Sequence, residues 1–243
     1  MRIDRLLCEL NIGSRSQVKE LLKAGQVTVD GIIVKKADTQ VDERKVYIQY
    51  RGKEYRYQPF VYFLMNKPAG VITATRDEKE KTVLDLFKEQ YQQMHRGELT
   101  GIPVQDIFPV GRLDKDTVGL LLLTNDGGLA HDLLSPKKHV EKRYYVRTDK
   151  VLSERMLEQL EKGVDIGEKE LTLPSKVEKE SQNTCFITIT EGKYHQVKRM
   201  FAAVGLQVTY LKRISMGGLT LDDELKEGQI RELTEEEVNE LYA

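Results

Sequence analysis

The chain has 243 residues, of which 40% are hydrophobic and 32% are charged, and its formal net charge is −1. This length and composition suit a globular protein with a buried core, arranged as one large domain or two unequal ones. Apolar runs such as Leu120 to Leu123 are far too short to span a membrane, and Asp4 and Arg5 interrupt the N-terminus before a signal peptide could develop. We therefore expect a cytoplasmic protein with no membrane partner.

The N-terminal segment predicts two short helices followed by a hairpin. Ser14 and Gln17 have the spacing of a capping box that opens the second helix, and Gly25 ends that helix. The dipeptide Asp30-Gly31 lies between β-branched runs, which is a strong hairpin signal.

This segment also carries an excess of positive charge. Residues 1–57 hold 12 Lys/Arg and 8 Asp/Glu, whereas the rest of the chain holds 26 and 31. Arg15, Lys19 and Lys23 recur at helical spacing along the second helix, and Arg5 lies on the first. Cations fixed along a helix suit a phosphate backbone, because they neutralise its charge and release counterions. The charge alone fits a solvated helix face equally well.

A polar and aromatic stretch at 51–58 predicts a linker between a domain at 1–50 and a second domain at 59–243. In the second domain, predicted strands outnumber helices and often follow one another directly. We therefore predict an α+β fold with a largely antiparallel mixed sheet flanked by helices. The main predicted strands are Val61 to Met65, Gly119 to Thr124, Lys142 to Val146, Phe186 to Thr190, Val208 to Leu211 and Gln229 to Leu233. Predicted helices include a short one at Thr82 to Asp85, one capped by Ser153, and a last one with a Thr234–Glu237 capping box.

One charged motif lies in the first half of this domain, at Gly111-Arg112-Leu113-Asp114-Lys115-Asp116. In an extended segment, Arg112, Asp114 and Asp116 would share a face. A carboxylate beside cations stays ionised, as a nucleophile or base requires. Taken alone, however, the motif fits a surface turn with ion pairs better than it fits a catalytic site.

A second charged motif opens the most periodic helix of the chain. His195, Lys198 and Arg199 lie beside the apolar face of this helix and within its first turns. The helix dipole disfavours cations there, and a position that breaks a local rule is a candidate functional site. His195 alone fits a structural histidine better than a catalytic base.

Several classes of site are not indicated. The sequence has no phosphate-binding loop, no metal-spaced His/Cys cluster and no Ser-His-Asp signature. Cys8 and Cys185 lie far apart, which predicts two free, buried thiols rather than a disulfide or a zinc site. We therefore expect chemistry that needs no metal and no cofactor.

Together these motifs resemble the RsuA-type bacterial ribosomal RNA pseudouridine synthases. The N-terminal helices and hairpin resemble the alpha-L RNA-binding module of a small-subunit ribosomal protein. The segments that carry the resemblance are Gly13 to Arg15, Gly25 to Gly31, Pro109 to Asp114 with Thr117, Gly119 to Gly127, Lys142 to Tyr144, and Glu191 to Phe201.

The resemblance implies a role for each matching residue. Asp114 matches the catalytic aspartate, Tyr144 the tyrosine that stacks on the target base, and Lys198 the basic partner of the aspartate. Arg112 matches the arginine that helps to hold the flipped-out nucleotide. The implied reaction is the isomerisation of uridine to pseudouridine without cofactor or metal. We accordingly expect Asp114 within charge-pairing reach of Lys198, facing Tyr144 across a basic cleft, and further RNA contacts at Arg5, Arg15, Lys19, Lys23, His195 and Arg199.

The stretch Tyr194 to Arg199 resembles members that modify small-subunit (16S) rRNA, which implies the RsuA-type site, uridine 516 in standard bacterial numbering. We expect a monomer that acts on this rRNA, either free or in an assembling small subunit. Three alternatives remain open: a large-subunit (23S) synthase of the same fold, a non-catalytic RNA-binding protein of the ribosome, and a glycoside-cleaving enzyme with Asp114 and Asp116 as paired carboxylates.

Overall fold

A computed structural model describes residues 1–95 and 106–242, which divide into two compact units. Among the described residues, the first unit comprises 1–61, 91–95 and 106–107, and the second comprises 62–90 and 108–242. The helices are α1 Ile3–Glu9, α2 Arg15–Lys23, α3 Val83–His95, α4 Gly127–Leu134, α5 Glu154–Lys162, α6 Gln196–Ala203 and α7 Glu235–Tyr242. The strands are β1 Val27–Val29, β2 Ile32–Ile33, β3 Tyr47–Tyr50, β4 Lys53–Arg56, β5 Tyr62–Lys67, β6 Phe108–Pro109, β7 Val118–Thr124, β8 Lys142–Thr148, β9 Lys176–Lys179, β10 Thr184–Ile189, β11 Val208–Met216, β12 Leu219–Thr220 and β13 Ile230–Glu232.

The first unit confirms both local signals of its sequence. The backbone N–H of Gln17 donates to Ser14 Oγ, and the backbone N–H of Ser14 donates to Gln17 Oε1 at 2.8 Å, which completes the predicted capping box. Asp30 and Gly31 turn between β1 and β2 with φ angles of 50° and 80°. Such positive angles are what a tight hairpin requires and what an Asp-Gly pair tolerates. The two helices and the sheet share one core, whose members include Leu6, Leu7, Leu10, Val18, Leu22, Val27, Ile48 and Tyr55.

The predicted linker at 51–58 is wrong in part. Residues Lys53–Arg56 form β4, which pairs with β3 at the edge of a sheet ordered β2-β1-β3-β4. Only Tyr55 of this strand is buried. An edge strand with a single buried residue has the polar composition of a linker, and this explains the error. The boundaries proposed for the two domains stay a prediction.

The second unit confirms the α+β class with a largely antiparallel sheet. Its strands run in the order β13-β5-β7-β11-β8-β10-β9, with β6 beside β7 and β12 beside β11. Within the described ranges, β7 and β11 pair in parallel and the other neighbouring strands of this sheet pair antiparallel. The sequence did not predict β9 or β12, and α3 is longer than the short helix expected there.

Helices cover both faces of this sheet. Leu129 and Leu133 of α4 pack with Leu120 and Leu122 of β7 in one core cluster. On another part of the sheet, the rings of Phe63 and Phe87 meet edge to face with centroids 5.0 Å apart, which brings α3 against β5. Since β7 is buried along its whole length, it has the continuous apolar sequence of a strand covered on both sides.

Both cysteines are free, as expected, but only Cys185 is buried and Cys8 is half-buried. The Thr234–Glu237 capping box of α7 is confirmed by reciprocal hydrogen bonds of 2.9 and 3.2 Å. In the described ranges, no helix combines the length and the apolar character needed to cross a bilayer.

Candidate active site

A cavity of about 790 Å³ opens on the sheet of the second unit. Its lining includes the loop that follows β6, at residues 111–115, and the segment 189–198, which leads into α6. Side chains from β8 and β11 also line the cavity. Five residues predicted for the site come from these separate segments and line the cavity together: Arg112, Asp114, Tyr144, His195 and Lys198.

The loop that carries Asp114 is irregular rather than extended, with a turn at Lys115 and Asp116. Lys67, at the end of β5, is fully buried beneath it. Its ammonium donates to the backbone carbonyls of Asp114, Lys115 and Thr117 at 3.1, 3.3 and 2.9 Å. The loop is therefore fixed through its main chain, which leaves the carboxylate of Asp114 free to face the cavity.

Two further contacts hold the same loop. The hydroxyl of Thr73 donates to the carbonyl of Leu113 at 2.7 Å and accepts from its N–H at 3.1 Å. The N–H of Gly70 donates to the carbonyl of Lys115 at 2.8 Å. Burial lowers the pKa of Lys67 to about 8, while the nearby carboxylates of Asp116 and Asp114 oppose that shift.

The predicted pairing of Lys198 with Asp114 is present. Lys198 Nζ lies 2.9 Å from Asp114 Oδ2 and 2.5 Å from Asp116 Oδ1. Burial lowers the pKa of Lys198, but its bonds to the two carboxylates outweigh burial and leave that pKa above its usual value. The bond from Lys198 in turn lowers the pKa of Asp116. The lysine is thus a fixed positive charge shared by two carboxylates.

The segment before α6 adds a second contact to Asp114. His195 Nε2 lies 3.4 Å from Asp114 Oδ1, and His195 has a left-handed backbone with φ 48°. The buried Gln196 holds this turn: its side chain accepts from the N–H of Lys193 at 2.9 Å and donates to Glu191 at 2.8 Å. The turn aims His195 and Lys198 at the same carboxylate.

Tyr144 lies on β8 and is 8% exposed. Its neighbours in the sheet are Arg213 of β11 and Ile187 of β10. The residues that line the cavity include six Lys/Arg and three Asp/Glu: Arg112, Lys115, Lys142, Lys193, Lys198 and Arg213 against Asp77, Asp114 and Glu191. The cleft that Asp114 and Tyr144 share is basic, as expected, and suits an anionic substrate.

The comparisons with known proteins agree with this geometry. The sequence profile of a family described as RNA pseudouridylate synthase matches residues 61–203, and the S4 domain profile matches residues 1–46. The chain belongs to the RNA pseudouridylate synthase family. It is an isomerase that acts on uridines of RNA, with an N-terminal S4 domain of the kind that binds RNA.

Relatives of this family align with the chain from end to end. A Bacillus subtilis protein named "Uncharacterized RNA pseudouridine synthase YtzG" is 47% identical over 98% of this chain and 97% of its own. Proteins named ribosomal small subunit pseudouridine synthase A are 40% identical in Vibrio cholerae, over the full length of both, and 39% identical in Escherichia coli, over 98% of each. A crystal structure of a pseudouridylate synthase is 34% identical over 99% of both chains, with a TM-score of 0.67.

The structure places the other predicted RNA contacts of the synthase outside the centre of the cavity. Arg199 turns away from it, donating to Glu168 at 2.8 Å and to the carbonyl of Ile166. Arg5 is exposed and pairs with Glu9 at 2.7 Å on α1. The three cations of α2 are exposed on the first unit: Arg15, Lys19 and Lys23.

Sequence reasoning missed Lys67 and Arg213 and misjudged Asp116. Lys67 ends the apolar strand β5 and was not among the predicted site residues. Asp116 was expected to share a face with Asp114, not to share its lysine. Arg213 lines the cavity from within β11 and is 2% exposed. Among the described residues, no three His, Cys, Asp or Glu side chains are grouped closely enough to hold a metal ion.

A Lys67→Met variant tests whether the loop needs its buried clamp. The loop carbonyls would lose their donor, so we expect the free energy of unfolding to fall by about 2–4 kcal/mol. Pseudouridine formation should slow by roughly 100-fold, because a small displacement of a reacting group has this effect. Single-turnover assays and denaturant unfolding measure both quantities.

The pH dependence of stability provides a second test that is specific to Lys67. Folding lowers the pKa of Lys67 to about 8, so the unfolded chain binds the proton of this lysine more tightly than the folded chain does. The free energy of unfolding of the wild type, relative to that of Lys67→Met, should therefore rise as the pH increases from 8 towards the ordinary lysine range. The matched control is Lys88→Met, at an exposed position on α3, which should keep the wild-type stability and rate. A Lys67→Met enzyme with wild-type stability and rate would refute the clamp.

Proposed function

We propose that the protein converts one uridine of small-subunit (16S) ribosomal RNA to pseudouridine, with Asp114 as its catalytic carboxylate. The observation that carries this proposal is the meeting of Asp114, Lys198 and Tyr144 in one basic cavity. The full-length relatives named for the small subunit support the choice of rRNA, as does the stretch Tyr194 to Arg199. The corresponding site is uridine 516, and a ribosomal substrate would place the enzyme in the cytoplasm.

The proposed reaction begins when the target uridine leaves its stack, which costs a few kcal/mol. The cavity offsets this loss with Tyr144 as an apolar and aromatic surface for the base and with Arg112 at the exposed side. The bond between uracil and ribose then breaks, the base turns while it is held, and a carbon–carbon bond forms to the anomeric carbon.

Asp114 serves this sequence in its ionised form. It can attack the sugar, attack the base or remove a proton from the sugar, and each of these routes needs a charged carboxylate. Lys198 at 2.9 Å, with His195 at 3.4 Å from the other oxygen, holds that charge in a half-buried position. The site thus supplies the one group that all three routes share.

Modification of defined RNAs tests the proposal. The purified protein would be incubated with 16S rRNA, a small-subunit assembly intermediate and 23S rRNA, and pseudouridine would be mapped at single-nucleotide resolution. We expect one new pseudouridine, in 16S rRNA or its assembly intermediate. Modification of 23S rRNA alone would favour the large-subunit alternative, free uracil would favour glycoside cleavage, and binding without product would favour a non-catalytic role.

The cations of α2 provide a separate prediction about affinity. Replacing Arg15, Lys19 and Lys23 together with glutamine should weaken RNA binding and reduce the slope of log K against log salt by roughly 2, if each contacts one phosphate. Filter binding at several salt concentrations measures both. The matched control replaces three exposed cations of the second unit, Arg155, Lys162 and Lys169, and should change the slope much less. Equal slopes for the two triple variants would remove α2 from the RNA interface.

A further inference from the structure

Arg213 is a buried arginine whose guanidinium is only partly bonded. It lies on β11, is 2% exposed and lines the cavity. Its Nε donates to the carbonyl of Leu120 at 2.8 Å, which fixes the plane of the group. Its Nη2 is buried and has no hydrogen-bond partner among the described residues. A buried donor without a partner is destabilising and calls for an explanation.

A second buried cation lies near Arg213. Lys142 of β8 is 9% exposed, lines the same cavity and donates to the carbonyl of Val140 at 2.8 Å. Burial, and then the charge of Arg213, lower the pKa of Lys142. In the described part of the chain, neither cation has a carboxylate within 4 Å, whereas Arg143 and Arg231 pair with Glu178 and Glu237.

A third polar group of the cavity is also unsatisfied. Thr117 is 2% exposed, and its hydroxyl is buried without a partner among the described residues. Its position in the sheet is close to that of Arg213, because Thr117 directly precedes β7 and Gly119 of β7 is registered with Arg213. The cavity therefore holds two unsatisfied buried groups and a second buried cation.

Lys142 and Arg213 lie beside the residue proposed to contact the base, since Lys142 is two positions before Tyr144 on β8. In the antiparallel pairing of β8 and β11, Arg213 is directly opposite Tyr144. A phosphate would meet the exposed cations Arg112 and Lys115 at the outer loop without losing all its water. A neutral acceptor is better suited to the buried position of Arg213, because burial of a phosphate there would require removal of its whole hydration shell.

Uracil presents such acceptors in a symmetrical order, carbonyl O2, N3–H and carbonyl O4. Cytosine instead presents an amino donor at the O4 position, which a cationic donor would repel. Isomerisation to pseudouridine requires the detached ring to turn about the axis through N3 and C6, and this rotation exchanges O2 with O4. A donor that holds one carbonyl before the turn therefore meets the other carbonyl afterwards.

We propose that Arg213 is a specificity-determining residue whose guanidinium donates to one carbonyl oxygen of the flipped-out uracil before the base turns, and to the other carbonyl oxygen after it. Lys142 supports the same edge of the base, and Thr117 is placed to meet N3–H. The proposal rests on the proposed function of the cavity. It explains why an arginine is kept buried without an anion: the substrate completes its hydrogen bonds.

The test couples the arginine to the atoms that it would contact. RNA substrates would carry uridine, 2-thiouridine or 4-thiouridine at the target, since sulfur accepts hydrogen bonds more weakly than oxygen. Single-turnover rates would be measured for the wild type, Arg213→Met and Arg213→Lys. On unmodified RNA we expect Arg213→Met to be slower by about 10- to 100-fold, as for the loss of a hydrogen bond to a charged group.

The decisive quantity is the ratio of the rate on unmodified RNA to the rate on thio-substituted RNA, measured for each enzyme. Either thio substitution should slow the wild type at least several times more than it slows Arg213→Met, with Arg213→Lys in between because it keeps a donor. Equal thio effects in the wild type and Arg213→Met would overturn the assignment of Arg213 and leave the proposed function intact. A wild type that forms no pseudouridine in unmodified RNA would overturn both.

Stability and a matched variant exclude a merely structural role. Methionine fills similar space without an unpaired charge, so Arg213→Met should keep a Tm at or near that of the wild type. Arg143→Met makes the same change on β8, at a residue that does not line the cavity and pairs with Glu178, and should keep the wild-type rate and thio effect. If Arg213→Met does not fold, the comparison uses Arg213→Lys. Carbonyl recognition by the guanidinium would be refuted if Arg213→Lys turned over as fast as the wild type and sulfur slowed both enzymes equally.

Discussion

Asp114→Asn is expected to fold and bind RNA normally while it forms pseudouridine slower by on the order of 10⁴-fold or more, as when other enzymes lose a reacting group. The amide has the size of the carboxylate but carries no charge, so it cannot act as a nucleophile or a base. The neighbourhood should persist, because Lys198 keeps Asp116 at 2.5 Å and Lys67 binds the loop through main-chain carbonyls. Single-turnover product formation and RNA affinity are the two measurements.

The control for this variant is Asp132→Asn on α4, the same chemical change at an exposed position outside the cavity lining. It should keep the rate and affinity of the wild type. Turnover of Asp114→Asn near the wild-type rate would remove Asp114 from the chemistry. Loss of RNA binding together with activity would show instead that the substitution disturbs the fold or the interface.

Lys198→Met should have the second largest effect, a slowing of roughly 10²- to 10³-fold, which is typical for the loss of one electrostatic contact in an active site. Without the ammonium, the carboxylate of Asp114 loses the cation that lies 2.9 Å from its Oδ2 and orients it in the cavity. Single-turnover rates of pseudouridine formation measure this loss.

Two comparisons make this prediction specific. Lys198→Arg keeps the positive charge, so it should recover part of the rate that Lys198→Met loses. Lys162→Met on α5 changes an exposed lysine outside the cavity lining and should keep the wild-type rate. If Lys198→Arg were as slow as Lys198→Met, the positive charge beside Asp114 would not be what the reaction needs.

Local signals in the sequence predicted much of the fold. The capping box at Ser14 and the Asp-Gly turn at Asp30 depend on interactions between near neighbours, and the apolar run of β7 is visible in its composition. All three are confirmed. The strand β4 and the length of α3 were missed, because pairing with β3 and packing against Phe63 stabilise them and both contacts are tertiary.

The candidate site shows the same division. The partnership of Asp114 and Lys198 was predicted from motif resemblance, and the structure brings these side chains together. The buried positions of Lys67 and Arg213 were not predicted, because a cation in a sequence is normally read as surface. Their placement depends on carbonyl groups and sheet neighbours that no local pattern encodes.

The positions of the cavity residues along the chain set the order in which parts of the structure can form during synthesis. The core of the first unit uses residues 3–57, so a nascent chain can complete this core early. The cavity needs β8, β11 and the turn before α6, and the ion pair of Asp114 forms only after Lys198 has left the ribosome. During translation, the core of the S4 domain can therefore form well before the chain can modify any uridine.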